Sequence, residues 1–276
     1  MEKNEDFVYL IGNLKNIYFK ENLTNKNSQQ EYSNKLDRII DEINFLYERE
    51  SEYTYKECII PFTNKYSFLQ TPSILEAINK LKYETFHSLI LKELWNPQHG
   101  KQLLANFITT IDDISTSDKI KLQEYIIQGN YSIEEEHTIK NNKKRIDLLI
   151  TDNAKKWFVI IENKIEASVS ISSENKTQLQ YYYQYGERKL KEYTDKFYIL
   201  LSHRNNKKNA IEPWKYTTYN NVFLSLIKTN SDTRIVQDYL SSLFSLLYPH
   251  NISQEDIGNS LYKSYQFYRE TIKHLK

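Results

Sequence analysis

Between residues 130 and 165 the apolar pattern of the chain changes period, and that change limits the folds open to it. Up to Gly129 the apolar residues recur at helical spacing, as in Ile39, Ile40, Ile43, Leu46 and Tyr47, or Leu103, Leu104, Phe107, Ile108 and Ile111. From Tyr131 the segments 131–140, 145–151 and 157–165 are short, β-branched and separated by polar turns, which reads as three strands. The turn 151–156 is short, so the second and third strands should form an antiparallel hairpin. A helix over about 176–193, a fourth strand over 196–202 and helices over 222–227, 235–248 and 257–275 follow, the last with Ser253 and Asp256 in capping-box positions.

In the first third, Thr71 as N-cap and Pro72 at the first helical position predict a helix through Ile74, Leu75, Ile78 and Leu81, running on towards Trp95. Residues 117–129 predict a helix closed by Gly129. The expected class is α/β: a mixed four-stranded sheet flanked by helices and extended by N- and C-terminal helical segments. The expected division is an N-terminal helical extension over 1–70, a core over 71–230 and a C-terminal helical segment over 231–276 packed on the core.

Composition removes several function classes. The 37 Lys and Arg nearly cancel the 36 Asp and Glu, so a globally polybasic nucleic-acid binder is excluded while a local basic face is not. Five glycines in no phosphate-binding pattern exclude Rossmann and P-loop cradles, and the one cysteine, Cys58, excludes multi-cysteine zinc sites and internal disulfides. The sequence shows no leader and no apolar run of spanning length, so a cytoplasmic protein without membrane contact is expected.

Chemistry concentrates on the hairpin. Alternation puts Asp147 and Leu149 on one face of their strand, and Ile160, Glu162 and Lys164 on one face of the next. A pivot near Asn153 and Ala154 would set Asp147 opposite Ile160 and one diagonal step from Glu162. Two carboxylates flanked by apolar runs are costly to bury bare; a divalent cation removes that cost and organises water, and a lysine beside it can orient or deprotonate the water and stabilise charge on a phosphate. The bland alternative is a solvated hairpin face.

Arg145-Ile146-Asp147-Leu148-Leu149-Ile150 followed by Ile161-Glu162-Asn163-Lys164-Ile165 resembles the "RIDLLI … IENKI" form of the PD-(D/E)XK nuclease superfamily, which includes many restriction-endonuclease-like enzymes. Gln178-Leu179-Gln180-Tyr181-Tyr182 is similar to that group's "QLxxY" helix, and Glu84-Thr85-Phe86-His87-Ser88 with Asn96-Pro97 and His99-Gly100 is similar to its "ExxHS … LLxP … HG" segment. Residues 169–173 depart from the pattern as extra sequence, and no proline precedes Asp147. The resemblance implies a restriction-endonuclease-like core and a catalytic set of Asp147, Glu162, Lys164 and Gln178. It also implies a Mg2+ or Mn2+ ion held by Asp147, Glu162 and the Asn163 carbonyl with Glu84 assisting, since hard oxygen donors suit either ion. Glu76 or Glu136 could stand in for Glu84, and one of Glu134, Glu135 and Glu136 should approach the site. Tyr182, Arg145 and Glu136 are expected in a supporting or substrate-contacting role. His87 and His99 are not expected to be ligands, and Trp95, Trp157 and Trp214 are expected to be packing residues.

The implied activity is metal-dependent endonucleolytic hydrolysis of nucleic acid, DNA rather than RNA, with bacterial anti-phage defence as the setting suggested by analogy. From 140 to 164 seven basic residues face three acids, consistent with a phosphate-rich substrate or with solubilising turns, and the basic loop 203–209 (Arg204, Lys207, Lys208) allows the same two readings. The rival function is a catalytically silent nucleic-acid-binding or interaction module that keeps the fold. A homodimer and a nicking monomer both remain open.

Overall fold

The computed structural model describes residues 26–139, 144–166, 177–203, 207–229, 232–248 and 265–275. Several sequence expectations lie outside them: the cap at Ser253 and Asp256, the extra segment 169–173, Arg204, Lys140 and Lys143. The chain divides into two units, Met1–Tyr53 and Thr54–Lys276. The described part of the first is the helix α1 (Lys26–Thr54), in which the apolar spacing of Ile39 to Tyr47 is helical as expected. No helix among the described residues is long and apolar enough to cross a membrane.

The second unit opens with a π turn (Tyr55–Ile59), α2 (Ile60–Lys65) and a 3-10 turn (Ser67–Gln70). The helix expected from Thr71 starts two residues later. Ser73 is the N-cap of α3 (Ile74–Ala77): its side chain accepts the Glu76 N–H at 3.3 Å, while the Glu76 carboxylate accepts the Ser73 N–H at 3.0 Å. This reciprocal pair satisfies two orphan donors, so Pro72 falls just before the cap. Nor does α3 continue to Trp95. It stops after one turn, Asn79 takes a left-handed φ of 54°, and a new helix α4 (Glu84–Leu94) begins. The apolar positions stay in phase across the break, which is why they read as one helix.

Next come α5 (Lys101–Thr109) and α6 (Thr116–Gln128). Gly129 ends α6 with an extended backbone rather than a left-handed one, so close approach is what requires glycine there. A Cβ at 129 would lie 2.4 Å from the Tyr125 carbonyl oxygen and 2.5 Å from Asp152 Oδ2.

The sheet runs β1 (Ser132–Ile139), β2 (Lys144–Asp152), β3 (Trp157–Lys164), β4 (Asp195–Ser202) and β5 (Trp214–Thr218), in that spatial order. β1, β2 and β3 are antiparallel neighbours, whereas β3–β4 and β4–β5 are parallel. The mixed sheet is as expected, but it has five strands rather than four. The fifth, Trp-Lys-Tyr-Thr-Thr, is short and carries no apolar run to announce it. The link from β3 to β4 contains α7 (Gln178–Lys189), capped by Thr177 and Gln180. α8 (Tyr219–Thr229) and α9 (Arg234–Leu247) follow β5, residues 265–270 are helical, and Ile272–Leu275 forms a 3-10 turn.

Alternation along the strands divides the core. Leu148, Ile150, Val159, Ile161, Ile199 and Leu201 pack with residues of α4, α5, α6, α8 and α9. Leu149, Phe158, Ile160, Tyr198 and Leu200 pack with Leu179 and Tyr182 of α7 on the other face. Because both faces of β3 are covered, all eight of its residues are buried, including Glu162, Asn163 and Lys164. Trp95, Trp157 and Trp214 are buried as expected. Gly129→Ala should destabilise the protein by about 1–3 kcal/mol, the usual range for forced overpacking. Urea unfolding by circular dichroism checks this, and an unchanged midpoint would contradict the close approach described.

Candidate active site

The hairpin turn sets the geometry. Asp152 Oδ1 accepts the N–H groups of Ala154 and Lys155, each at 2.9 Å, and Lys156 takes a left-handed φ of 55°. The turn therefore spans Asn153 to Lys156, with Asp152 paired to Trp157. This corrects the expected register: Leu149, not Asp147, faces Ile160, and continuing past the last ladder pair, Leu148 with Ile161, brings Asp147 level with Glu162. The two acids are thus directly opposite, closer than the diagonal placement expected.

Beyond Leu148 the ladder gives way to side-chain bonds. Asp147 Oδ2 accepts the Asn163 N–H at 2.6 Å, so a carboxylate takes the place of a backbone acceptor where β2 leaves β3. Glu162 is fully buried, and neither of its carboxylate oxygens has a hydrogen-bond partner. Its Oε1 lies 2.5 Å from Lys164 Nζ, an ion pair whose geometry leaves the oxygens otherwise unsatisfied. Lys164 Nζ also donates to the Asn163 carbonyl at 3.1 Å and stands 3.4 Å from Glu84 Oε2. Glu84, the first residue of α4, accepts the Ile165 N–H through Oε1 at 2.9 Å, which ties the helix start to the end of β3.

Burial pushes the Asp147 carboxyl up to about 6, against the opposing pull of Lys164 and the Asn163 N–H. Burial and then the neighbouring Asp147 push Glu162 well above the usual carboxylate range. Burial alone would lower the Lys164 ammonium, but the charges of Glu162 and Asp147 outweigh it and hold the group above its ordinary value. Lys164 therefore carries its proton here.

The supporting residues divide. Tyr182 Oη donates to the Arg145 carbonyl, two residues from Asp147, and receives a hydrogen bond from Gln178 Nε2 at 2.7 Å. Gln178 thus reaches the acid pair's strand through Tyr182. Arg145 pairs with Glu136 at 2.8 Å, and Glu136, level with Asp147 and turned by a left-handed φ of 50°, also accepts from Thr85 Oγ1 at 3.5 Å. Of its neighbours, Glu134 pairs with His137 and Glu135 with Lys92, so Glu136 is the acid of that strand nearest the start of α4. Glu76 is spent on its cap. His99 is exposed and bonds to the Glu93 carbonyl at 3.0 Å. His87 is buried: its Nε2 faces the Leu81 carbonyl at 2.8 Å, which can only accept, so Nε2 carries the proton and Nδ1 accepts from Tyr239 Oη at 3.0 Å. Burial lowers its pKa to about 4, and the ring is neutral.

Among the described residues no three His, Cys, Asp or Glu side chains form a metal cage by themselves. The donors that fit a hard divalent ion are two carboxylates and a carbonyl: Asp147, Glu162 with its unsatisfied buried oxygens, and Asn163. One sign that sequence reasoning missed is Tyr219, whose hydroxyl donates to Asn163 Oδ1 at 2.5 Å; nothing local to the motif points to it.

A family model described as the PD-(D/E)XK nuclease superfamily matches residues 72–266, well over half of the chain. The chain belongs to the PD-(D/E)XK nuclease superfamily. Comparison with curated proteins and with solved structures finds no match. Membership implies nuclease activity and a nucleic-acid substrate, and PD-(D/E)XK nucleases typically use divalent metals.

The buried acid pair has a measurable consequence. Asp147 binds its proton more tightly when folded than its ordinary value near 3.8. Its contribution to stability is therefore complete below pH ~3.8 and is lost as the pH rises through about 6. The loss is on the order of 3 kcal/mol for a shift of this size. In EDTA, wild-type stability minus that of Asp147→Asn should fall between pH 4 and 7, read as the difference in melting temperature; a difference independent of pH would contradict it.

Proposed function

We propose that the chain is a Mg2+-dependent endonuclease that cleaves DNA in preference to RNA. The observation that carries the reading is the Glu162 carboxylate, fully buried, level with a second carboxylate and met by one lysine whose Nζ lies 2.5 Å from Oε1. Two buried carboxyl groups set against one ammonium are unfavourable for a purely structural cluster and fitting for one that takes a cation. This also disfavours the silent-module alternative.

Asp147, Glu162 and the Asn163 carbonyl would hold Mg2+ or Mn2+, with Glu84 assisting from the start of α4. When bound, such an ion supplies Lewis-acid stabilisation of charge developing on a phosphoryl group. Lys164, protonated in this structure, would donate a hydrogen bond to phosphate or to the attacking water. Gln178 and Tyr182 hold the Arg145 end of β2 in place, and Arg145 with its partner Glu136 borders the strand path.

Lysine and tyrosine pairs flank these residues. Lys144 Nζ lies 3.7 Å from the Tyr181 ring centroid, and Lys80 Nζ lies 3.9 Å from that of Tyr83, an exposed residue immediately before Glu84. Cations on aromatic faces beside an acid cluster suit a strand that offers phosphates and bases together. Lys207, by contrast, pairs with Asp113 at 3.6 Å. Anti-phage defence rests on analogy with the family, the cytoplasmic setting on the single cysteine, and a homodimer or nicking activity on the two hydrolytic events that a duplex cut requires.

The test is cleavage of circular and linear, single- and double-stranded DNA and of RNA, with Mg2+, Mn2+ or EDTA. Metal-dependent nicking or linearisation of circular DNA is expected, with kcat lowered by about 10²–10³ or more in Lys164→Ala and Asp147→Ala. Cleavage that survives both substitutions, or that EDTA does not stop, would contradict the assignment.

A further inference from the structure

The residue between the two signature side chains, Asn163, is fixed by more bonds than a strand residue needs. Its backbone N–H holds Asp147, and its carbonyl receives Lys164. Its side-chain amide is also fully engaged. Nδ2 donates to the Glu84 carbonyl at 3.1 Å and to Ser88 Oγ at 3.3 Å, and Oδ1 accepts from Tyr219 Oη at 2.5 Å. A carbonyl oxygen can only accept, so the Glu84 contact settles which end of the amide is which, and the Tyr219 hydroxyl must be a donor. Asn163 and Tyr219 are both fully buried, so no water competes for these bonds.

The three anchors come from outside the hairpin. Glu84 and Ser88 lie one turn apart on α4, and Tyr219 is the first residue of α8, delivered to this spot by β5, whose Thr218 pairs with Ser202 at the end of β4. The Tyr219 ring packs edge-on against His87 with centroids 5.3 Å apart, so its direction is set by packing and not by the bond alone. β5 and α8 thus reach past β4 to fix the orientation of one amide on β3.

We infer that Tyr219 is a positioning residue for the cation: by locking the Asn163 side chain it fixes the Asn163 carbonyl and, through the Asn163 N–H, the Asp147 carboxylate. The inference rests on the cation site proposed above. Tyr219 touches neither substrate nor ion. Partners of this kind, one bond removed from a ligand, commonly change metal affinity by about 10- to 100-fold.

Tyr219→Phe removes one oxygen and keeps the ring. The control is Tyr239→Phe, which removes an equally buried hydroxyl bonded to His87 and not to Asn163. Each protein is titrated with Mn2+, free ion being read by electron paramagnetic resonance, and DNA cleavage is followed against metal concentration. The expected result is a Mn2+ midpoint about tenfold or more weaker in Tyr219→Phe, unchanged in Tyr239→Phe, with kcat of Tyr219→Phe largely restored at saturating metal. A Tyr219→Phe midpoint equal to wild type overturns the inference, as does an equal shift in both variants, which would mark general loosening of the core. If Tyr219→Phe does not fold, Ser88→Ala, which removes the Nδ2 partner, carries the same test under the same criteria. A wild type that binds no Mn2+ overturns the proposed cation site and the inference with it, an outcome distinct from failure of the variant alone.

Discussion

The architecture around the site depends on one electrostatic problem: two buried carboxylates, Asp147 and Glu162, brought level on adjacent strands. A lone ionised carboxylate in such a place is strongly disfavoured, and two side by side more so. Several features near the end of β3 answer it. Lys164 supplies charge, the Asn163 N–H supplies a hydrogen bond to Asp147, and α4 brings Glu84 to bind the Ile165 N–H and stand near the same ammonium. Of these, the Lys164 ammonium, 2.5 Å from Oε1, is what meets the Glu162 carboxylate. A fully buried carboxylate in that position is what the cation site proposed above would draw on.

Connections between the elements explain why a domain of this size surrounds so few reacting groups. Helices cover both faces of β3, the larger helical layer on one side and α7 on the other. That burial strengthens the electrostatics within the site, because fields are less screened in a poorly polarisable surround. It also fixes side chains that would wander at a surface. Asn163 bonds to α4 and α8, and Tyr182 ties α7 to the Arg145 carbonyl in β2. The strand ends are thus clamped from both layers.

What could be read from the sequence follows the reach of local patterns. The hairpin was legible because Ile146 to Ile150 and Val159 to Ile161 are apolar runs bounded by a turn, and the acid–acid–lysine spacing was legible because it lies on those runs. The register was not, because it depends on the Asp152 carboxylate capping two turn N–H groups, which moves the centre of the hairpin by one residue. The start of α3 was misplaced because two good N-cap residues, Thr71 and Ser73, lie two apart, and only Ser73 has a glutamate three residues on to complete the box. β5 leaves little mark on the sequence because its five residues carry little apolar signal and are held by pairing to β4. Tyr219 followed it out of view, since a residue 56 positions from Asn163 can be linked to it only through the folded sheet.

On the proposed reading, the acid pair holds a divalent ion. Anomalous X-ray diffraction from crystals soaked in Mn2+ tests it most directly. The account predicts one strong anomalous peak within bonding distance of the Asp147 and Glu162 carboxylates and the Asn163 carbonyl. No peak there, or a peak ligated by other residues with Glu162 still unsatisfied, would contradict it.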